Sequence, residues 1–347
     1  MTATLEPVHV AAPAPASLLD RVLRMRELAI LAVLVVMLAA TQVDNGAFLS
    51  EQGVKDLLLN ATILVLVAVG EAVVVISRNV DLSVGSVLGV AAFAAGDYIQ
   101  GGGNPAVALL IAVAVGAVFG VLNGLLVGVG RVPALVVTLG TLYIIRGLDS
   151  VWVGSREITA SRLSPGFVSF GHDGIWAIPY LGILAAVVLV AVAYYLRNYR
   201  SGREFYAVGS NPQAADLAGV PTRKRVLGAF VLCGALAGLA GALYLARFGY
   251  ADASTGTGYE LTVVSAVVVG GVGFTGGSGS VYGAALGALL LTSINSVLPA
   301  VGVSSVWVEA IDGILLLAAI SVDRFMALRV AGLLRRRARE ARSAEHA

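Results

Sequence analysis

The stretch RNYRSGREFYAVGSNPQAADLAGVPTRKR, residues 197–225, is the one long polar interruption in the second half of an otherwise apolar chain. A loop this basic belongs on the cytoplasmic side of any bilayer the chain spans. A short helix is punctuated within it. Asn211 suits an N-cap and Pro212 the first helical position. Gln213, Ala214, Ala215, Asp216, Leu217 and Ala218 favour helix, and Gly219 is a natural stop before Pro221. So short a helix buries little of its own surface, which predicts a partner packed against it.

Outward from that loop the composition is that of an all-α membrane protein. Hydrophobic residues make up 58% of 347 positions and charged residues 13%, against about 25% charge in a soluble domain. Mean hydropathy is +0.89. The single cysteine, Cys233, falls in an apolar run and reads as a small buried side chain. Residues 1–26 are Pro/Ala-biased and end in Arg21, Arg24 and Arg26. They lack a basic region followed by an apolar core, so they read as a disordered cytoplasmic tail and not as a signal peptide.

A spanning helix needs roughly 20 apolar residues at about 1.5 Å rise each. That rule predicts about ten segments, near 28–43, 57–78, 84–99, 106–130, 132–153, 176–196, 226–246, 260–272, 280–298 and 303–322, the third and eighth being short. The membrane domain is thus 27–325, with a basic cytoplasmic tail at 326–347. With both termini cytoplasmic, 18 of the 23 lysines and arginines fall inside. Only Lys55, Arg146, Arg156, Arg162 and Arg247 fall outside. An odd number of helices would place the basic C-terminus or the basic central loop on the wrong side.

Glycine recurs at a spacing of four: Gly116, Gly120, Gly124 and Gly128, then Gly234 and Gly238, then Gly283 and Gly287. Helices in lipid associate where small residues let backbones approach, so these stripes predict a helical bundle. A faint internal echo, GSVLG at 85–89 and GSVYG at 279–283, opens a segment in each half.

The residues exclude most chemistry. Neither lysine, Lys55 or Lys224, follows a glycine loop, so there is no phosphate-binding loop for ATP hydrolysis. The GVGFTG run at 271–276 fits GxGxxG by letter, but membrane segments flank it and no acidic residue follows at ribose-binding distance. It reads as a flexible inner-side turn. His9, His172 and His346 are scattered, no metal-ligand spacing exists, and no cofactor is implied.

Ionisable groups within or near apolar segments remain: Glu71, Asp81, Asp97, Arg146, Asp149, Glu260, Glu309 and Asp312. Charge in lipid is costly, so each is a functional candidate. Arg146 and Asp149, three apart, are placed to pair or to snorkel. Asp97 and Glu260 fit the outer interface, and Asp81 is placed to share a local network with Ser83. Glu71 lies deep in the second segment, and Glu309 shares a face with Asp312. These three offer the alternative of an ion-gradient-driven transporter or channel. Candidate pathway residues are Asn60, Glu71, Asp81, Ser83, Asn123, Thr138 and Asn295, polar side chains able to touch a sugar hydroxyl.

Several stretches, in order, resemble the permeases of ATP-driven sugar importers of the ribose, rhamnose and autoinducer-2 kind. They are SRNVDLSVGS at 77–86, NGLL at 123–126, PALVVTLGT at 133–141 leading to Arg146 and Gly147, GREFYAVGSNP at 202–212, GTGYEL at 256–261, and the glycines 270–271 and 276–279. The resemblance covers about 27–325. It implies a ten-helix, non-catalytic permease in the bacterial plasma (inner) membrane. Its partners would be a second permease copy or a related one, a cytoplasmic ATPase and an extracytoplasmic sugar-binding protein, with no nucleic acid. The loop after the sixth helix would dock on the ATPase. The QAADLAG run at 213–219 is similar to that family's EAAxxxG loop, with Gln213 in place of the glutamate. Glu71 stands where a neutral residue is usual.

Overall fold

The structure, a computed structural model, describes residues 26–304 and scattered positions from 307 to 325. Its helices are α1 Arg26–Asp44, α2 Glu51–Ile76, α3 Val84–Gln100, α4 Pro105–Gly124, α5 Ala134–Val153, α6 Pro165–His172, α7 Tyr180–Asn198, α8 Arg200–Ser210, α9 Pro212–Leu217, α10 Thr222–Phe248, α11 Tyr259–Val269 and α12 Val281–Ala300. Helix α4 runs on as a π-turn over Leu125–Val129. Among the described residues, sheet is confined to two antiparallel pairs of two-residue strands. Ile158–Thr159 pairs with Tyr250–Ala251, and Gly174–Ile175 pairs with Ile178–Pro179.

Among the described residues, seven helices are long and apolar enough to cross a membrane: α1, α2, α4 with its π-turn, α5, α7, α10 and α12. Helices α3 and α11 are shorter, as the sequence predicts for its third and eighth segments. The last segment, near 303–322, is described only at scattered positions, and Glu309 and Asp312 lie outside the described residues.

Helix α2 is the axis of the bundle. Residues 61–77 are all buried, enclosed by α7, α10, α11 and α12. This explains a helix with no polar face: apolar side chains all round suit an interior position. Helix α1 packs on α12, and the Ser280 hydroxyl at the α12 N-cap donates to the Glu27 carboxylate.

The glycine stripes are packing devices. A Cβ at Gly116 would strike the Gly234 carbonyl, one at Gly234 would strike the Gly116 carbonyl, and one at Gly238 would strike Ala112. Helices α4 and α10 therefore touch backbone to backbone. Gly287 does the same for α12 against the Ala266 carbonyl of α11.

Helix α11 has 11 residues, about 16 Å of rise against an apolar layer of about 30 Å. The irregular chain before it completes the passage. Gly256 lies against the backbone of Gly85, and Gly89 against the Thr255 carbonyl. Irregular backbone at this depth is tolerated because protein covers it. The first half of the GSVLG/GSVYG echo thus packs on the entry to α11, and the second on its exit, where Gly283 meets Gly270.

Charges separate to the two ends. One end carries the pairs Arg247–Asp56 (2.8 Å) and Arg156–Asp97 (3.1 Å). The other carries Arg78, Arg131, Arg223 and Lys224 around one groove.

Candidate translocation pathway and docking face

At the α2–α3 break the chain leaves one helix and starts another inside the protein, which strands backbone donors. Helix α2 closes with a Schellman turn: Asn79 N–H donates to the Val74 carbonyl (3.1 Å) and Arg78 N–H to that of Val75 (2.8 Å). Arg78 sits in the left-handed region at φ 67°.

Side chains satisfy the donors beyond that turn. Glu71 Oε1 accepts from Asp81 N–H (3.0 Å), and Glu71 Oε2 accepts from the Cys233 thiol (3.5 Å). Asp81 Oδ1 accepts from the N–H and the hydroxyl of Ser83 (2.9 and 2.6 Å). Asn123, from α4, donates to Ser83 Oγ (2.9 Å) and more distantly to Asp81 Oδ1 (3.4 Å). Thr138, from α5, donates to the carbonyls of Ala134 (2.9 Å) and Val80 (3.3 Å). Glu71, Asp81, Ser83, Asn123 and Thr138 are all buried. The structure therefore gathers these predicted pathway residues into one closed knot that holds the break in place. The predicted Asp81–Ser83 network is present.

Asn60 and Asn295 lie elsewhere. They face a cavity of about 590 Å³ between α2, α11 and α12. Tyr259, Thr262, Ser265, Thr292 and Ser296 line it with them, and Phe248 adds an aromatic face. Neither Asn60 Oδ1 nor Asn295 Oδ1 has a hydrogen-bond partner. No charged side chain lines the cavity among the described residues. Amides, hydroxyls and aromatic faces without net charge suit a neutral hydroxylated solute. The sequence carried a signal for part of this set: Thr292, Asn295 and Ser296 share one face of α12 at i, i+3 and i+4.

At the opposite end from Arg78, Arg146 and Asp149 do not pair. Arg146 reaches across to the carbonyls of Thr255 (2.7 Å) and Ala253 (3.4 Å). Both carboxylate oxygens of the buried Asp149 lack a partner. The guanidinium is drawn off by the unsatisfied carbonyls of the irregular chain before α11. Asp97 is half exposed and paired with Arg156, whereas Glu260 tucks its carboxylate behind Gly85.

The basic loop holds more structure than its sequence announced. Besides α9 it forms α8, pinned by Glu204, whose carboxylate accepts from Arg225 (2.7 Å) and Arg200 (3.0 Å). The bond from Arg225 holds the Glu204 carboxyl below the usual carboxylate range against the upward push of burial, with Arg200 adding a lesser downward pull. Helix α9 has the predicted punctuation. Asn211 Oδ1 accepts from Ala214 N–H (3.0 Å), and Pro212 opens the helix. Val220 N–H returns to the Ala215 carbonyl (3.0 Å), with Gly219 at φ 78°. Ala215 is its buried residue, while Gln213, Ala214, Asp216 and Gly219 are exposed and Leu217 is 90% exposed.

The glycine-rich run after α11 is close-packed. Gly277 N–H donates to the Ile76 carbonyl at the end of α2 (2.8 Å). Gly209 of α8 lies so near Ile76 and Gly277 that a Cβ there has no room. The basic loop is thereby fastened to the α2–α3 break.

Residues 53–320 match the family described as the branched-chain amino acid transport system / permease component. The chain belongs to this permease family. A relative from Enterobacter sp. (strain 638), the autoinducer 2 import system permease protein LsrC, is 38% identical over 85% of this chain and 84% of its own length. The protein of the same name from Yersinia pseudotuberculosis serotype O:1b (strain IP 31758) is 37% identical over 85% of this chain and 83% of its own. No solved structure matches the chain. With seven membrane-length helices, the permease is a multi-pass protein of the inner membrane.

Proposed function

We propose that this permease forms the translocation pathway of an ATP-driven importer for a small carbohydrate of the autoinducer-2, rhamnose or ribose kind. An extracytoplasmic binding protein delivers the cargo, and a second permease copy, identical or related, completes the membrane portion. The chain itself is non-catalytic, and ATP is hydrolysed on a separate cytoplasmic subunit that docks on α9. The bundle has ten helices with both termini in the cytoplasm. The cargo passes through the cavity lined by Asn60 and Asn295, with the buried knot of Glu71, Asp81, Ser83, Asn123 and Thr138 as its neighbouring frame.

The observation that carries this reading is the capped, nearly unburied α9 in a chain whose relatives are named import permeases. A helix that exposes Leu217 and buries only Ala215 is stable as a contact surface for another subunit. Those relatives favour import by such a system over the ion-gradient alternative.

The test is Gly219→Asp. Gly219 has φ 78° and open space around its Cα, so a side chain there strains α9 locally and touches nothing else. The variant is expected in the membrane at normal level, with ATP-dependent sugar uptake into vesicles reduced at least tenfold. Uptake at the wild-type rate overturns the docking role. Robust uptake by the purified chain alone, in liposomes under a proton or sodium gradient, overturns the importer reading itself.

A further inference from the structure

A groove of about 500 Å³ opens at the basic end, between α9 and the α2–α3 break. Arg78, Arg131, Arg223 and Lys224 line it, and Asp216 is the one carboxylate among its lining residues. That carboxylate already accepts a hydrogen bond from the Thr222 hydroxyl (3.3 Å).

Among the described residues, none of these four cations has a side-chain partner. Of the four other arginines in the same loop, three are used inside the fold and the fourth, Arg197, lies outside the groove. Arg200 and Arg225 are bound to Glu204, and Arg203 is bound to the carbonyls of Arg197 and Asn198. The groove thus collects four cations that the fold leaves unpaired.

Two of these cations are also held in an unusual way. Arg78 and Arg131 have φ of 67° and 57°, and Trp176 is the one other described non-glycine residue with positive φ. Glycine fits such positions more easily, so long cationic side chains at both of them, aimed into one groove, point to use.

A charge-lined groove at a membrane surface has two natural ligands, an acidic protein segment or an anionic lipid headgroup. The groove opens beside α9, where Leu217 offers an apolar contact, and that favours protein. We propose that it receives an acidic segment of the ATPase subunit, with Arg78, Arg131, Arg223 and Lys224 as counter-charge. This rests on the importer reading and adds the sign of the joint to it. Gln213 is neutral, so the charge holding the subunits together sits on permease cations, and the complementary carboxylates belong to the ATPase.

The test uses the full-length permease, purified in detergent, and its cognate ATPase. The affinity of the two subunits is measured at about 0.15 M and about 1 M salt, where screening lengths are about 8 and 3 Å. The variant Arg131→Glu/Arg223→Glu is expected to weaken binding at least tenfold at the lower salt, with the difference shrinking at the higher. Arg131→Gln is expected to give an intermediate loss, which guards against misfolding of the double variant. Arg162→Glu, a charge reversal at the opposite end, is expected to leave the affinity unchanged.

Equal affinity of wild type and groove variants overturns the assignment while leaving the importer reading intact. So does a loss confined to binding of vesicles containing anionic lipid, which gives the groove to lipid. A wild-type chain that binds no ATPase at either salt overturns both.

Discussion

Two polar regions of this permease are built from similar residues and behave in opposite ways. The knot at the α2–α3 break places carboxylates, an amide, hydroxyls and a thiol in hydrogen-bond contact with one another and with stranded backbone, all of them buried. The cavity between α2, α11 and α12 is lined by amides and hydroxyls, and the hydroxyls of Ser265 and Ser296 bond carbonyls of their own helices. Polar type therefore does not separate frame from pathway. What separates them is whether the side chains line an opening: Asn60 and Asn295 do, and the knot, which also holds an unpaired Asn123 Oδ1, lines neither the cavity nor the basic groove.

The sharpest way to break that comparison is at Asp81. Asp81→Ala strands the N–H and the hydroxyl of Ser83 in the interior, at roughly 1–3 kcal/mol per stranded donor. A stability loss of about 3 kcal/mol is expected in thermal or denaturant unfolding in detergent. Glu71→Gln keeps an oxygen for Asp81 N–H and is expected to cost under about 1 kcal/mol, with uptake retained. If Glu71→Gln abolishes uptake in a stable protein, the knot is part of the pathway and not its frame.

The cavity should respond the other way round. Asn60→Ala and Asn295→Ala remove groups that make no bond through their oxygen within the fold. Stability is expected to stay within about 0.5 kcal/mol. The KM for sugar uptake is expected to rise about tenfold, the equivalent of about 1.4 kcal/mol. A large fall in melting temperature with unchanged KM would place these amides with the frame.

The smallest effect is expected at Glu204. Its carboxyl lies below the usual carboxylate range because Arg225 and Arg200 bind the charged form. A depressed folded-state value means that the stabilisation is present above the ordinary carboxylate pKa and is lost as pH falls through the lowered one. Glu204→Gln should flatten the acid side of the stability-against-pH curve and leave the neutral side parallel to wild type. An unchanged acid limb would show that the Arg200–Glu204–Arg225 bracket contributes nothing measurable.

Local features were legible in the sequence and tertiary ones were not. The ends of α9 could be read because Asn211, Pro212 and Gly219 act within one turn of themselves. The adjoining α8 could not, since its anchor joins Glu204 to Arg225 across 21 positions of chain. Glu71, Asp81 and Ser83 stood out as polar groups in apolar surroundings, but nothing local brings Asn123 and Thr138 to them. Arg146 and Asp149 met the spacing rule for a helical pair, and the pair is absent because carbonyls over 100 positions away compete for the guanidinium. The run at 271–276 looked slack because glycine is permissive, whereas its last residue, Gly276, and the next, Gly277, serve close contact with Arg78 and Ser210.

The meshing of α4 with α10 has a mechanical consequence. Two helices in backbone contact at Gly116 and Gly234 cannot slide along one another without lifting apart, so they turn as one stiff spar. Helix α9 is coupled to that spar through the short link at 218–221, and Asn123 sits on the same spar beside Ser83. A push delivered at Leu217 would therefore travel by rotation of a rigid arm, with the α2–α3 break as the joint it loads.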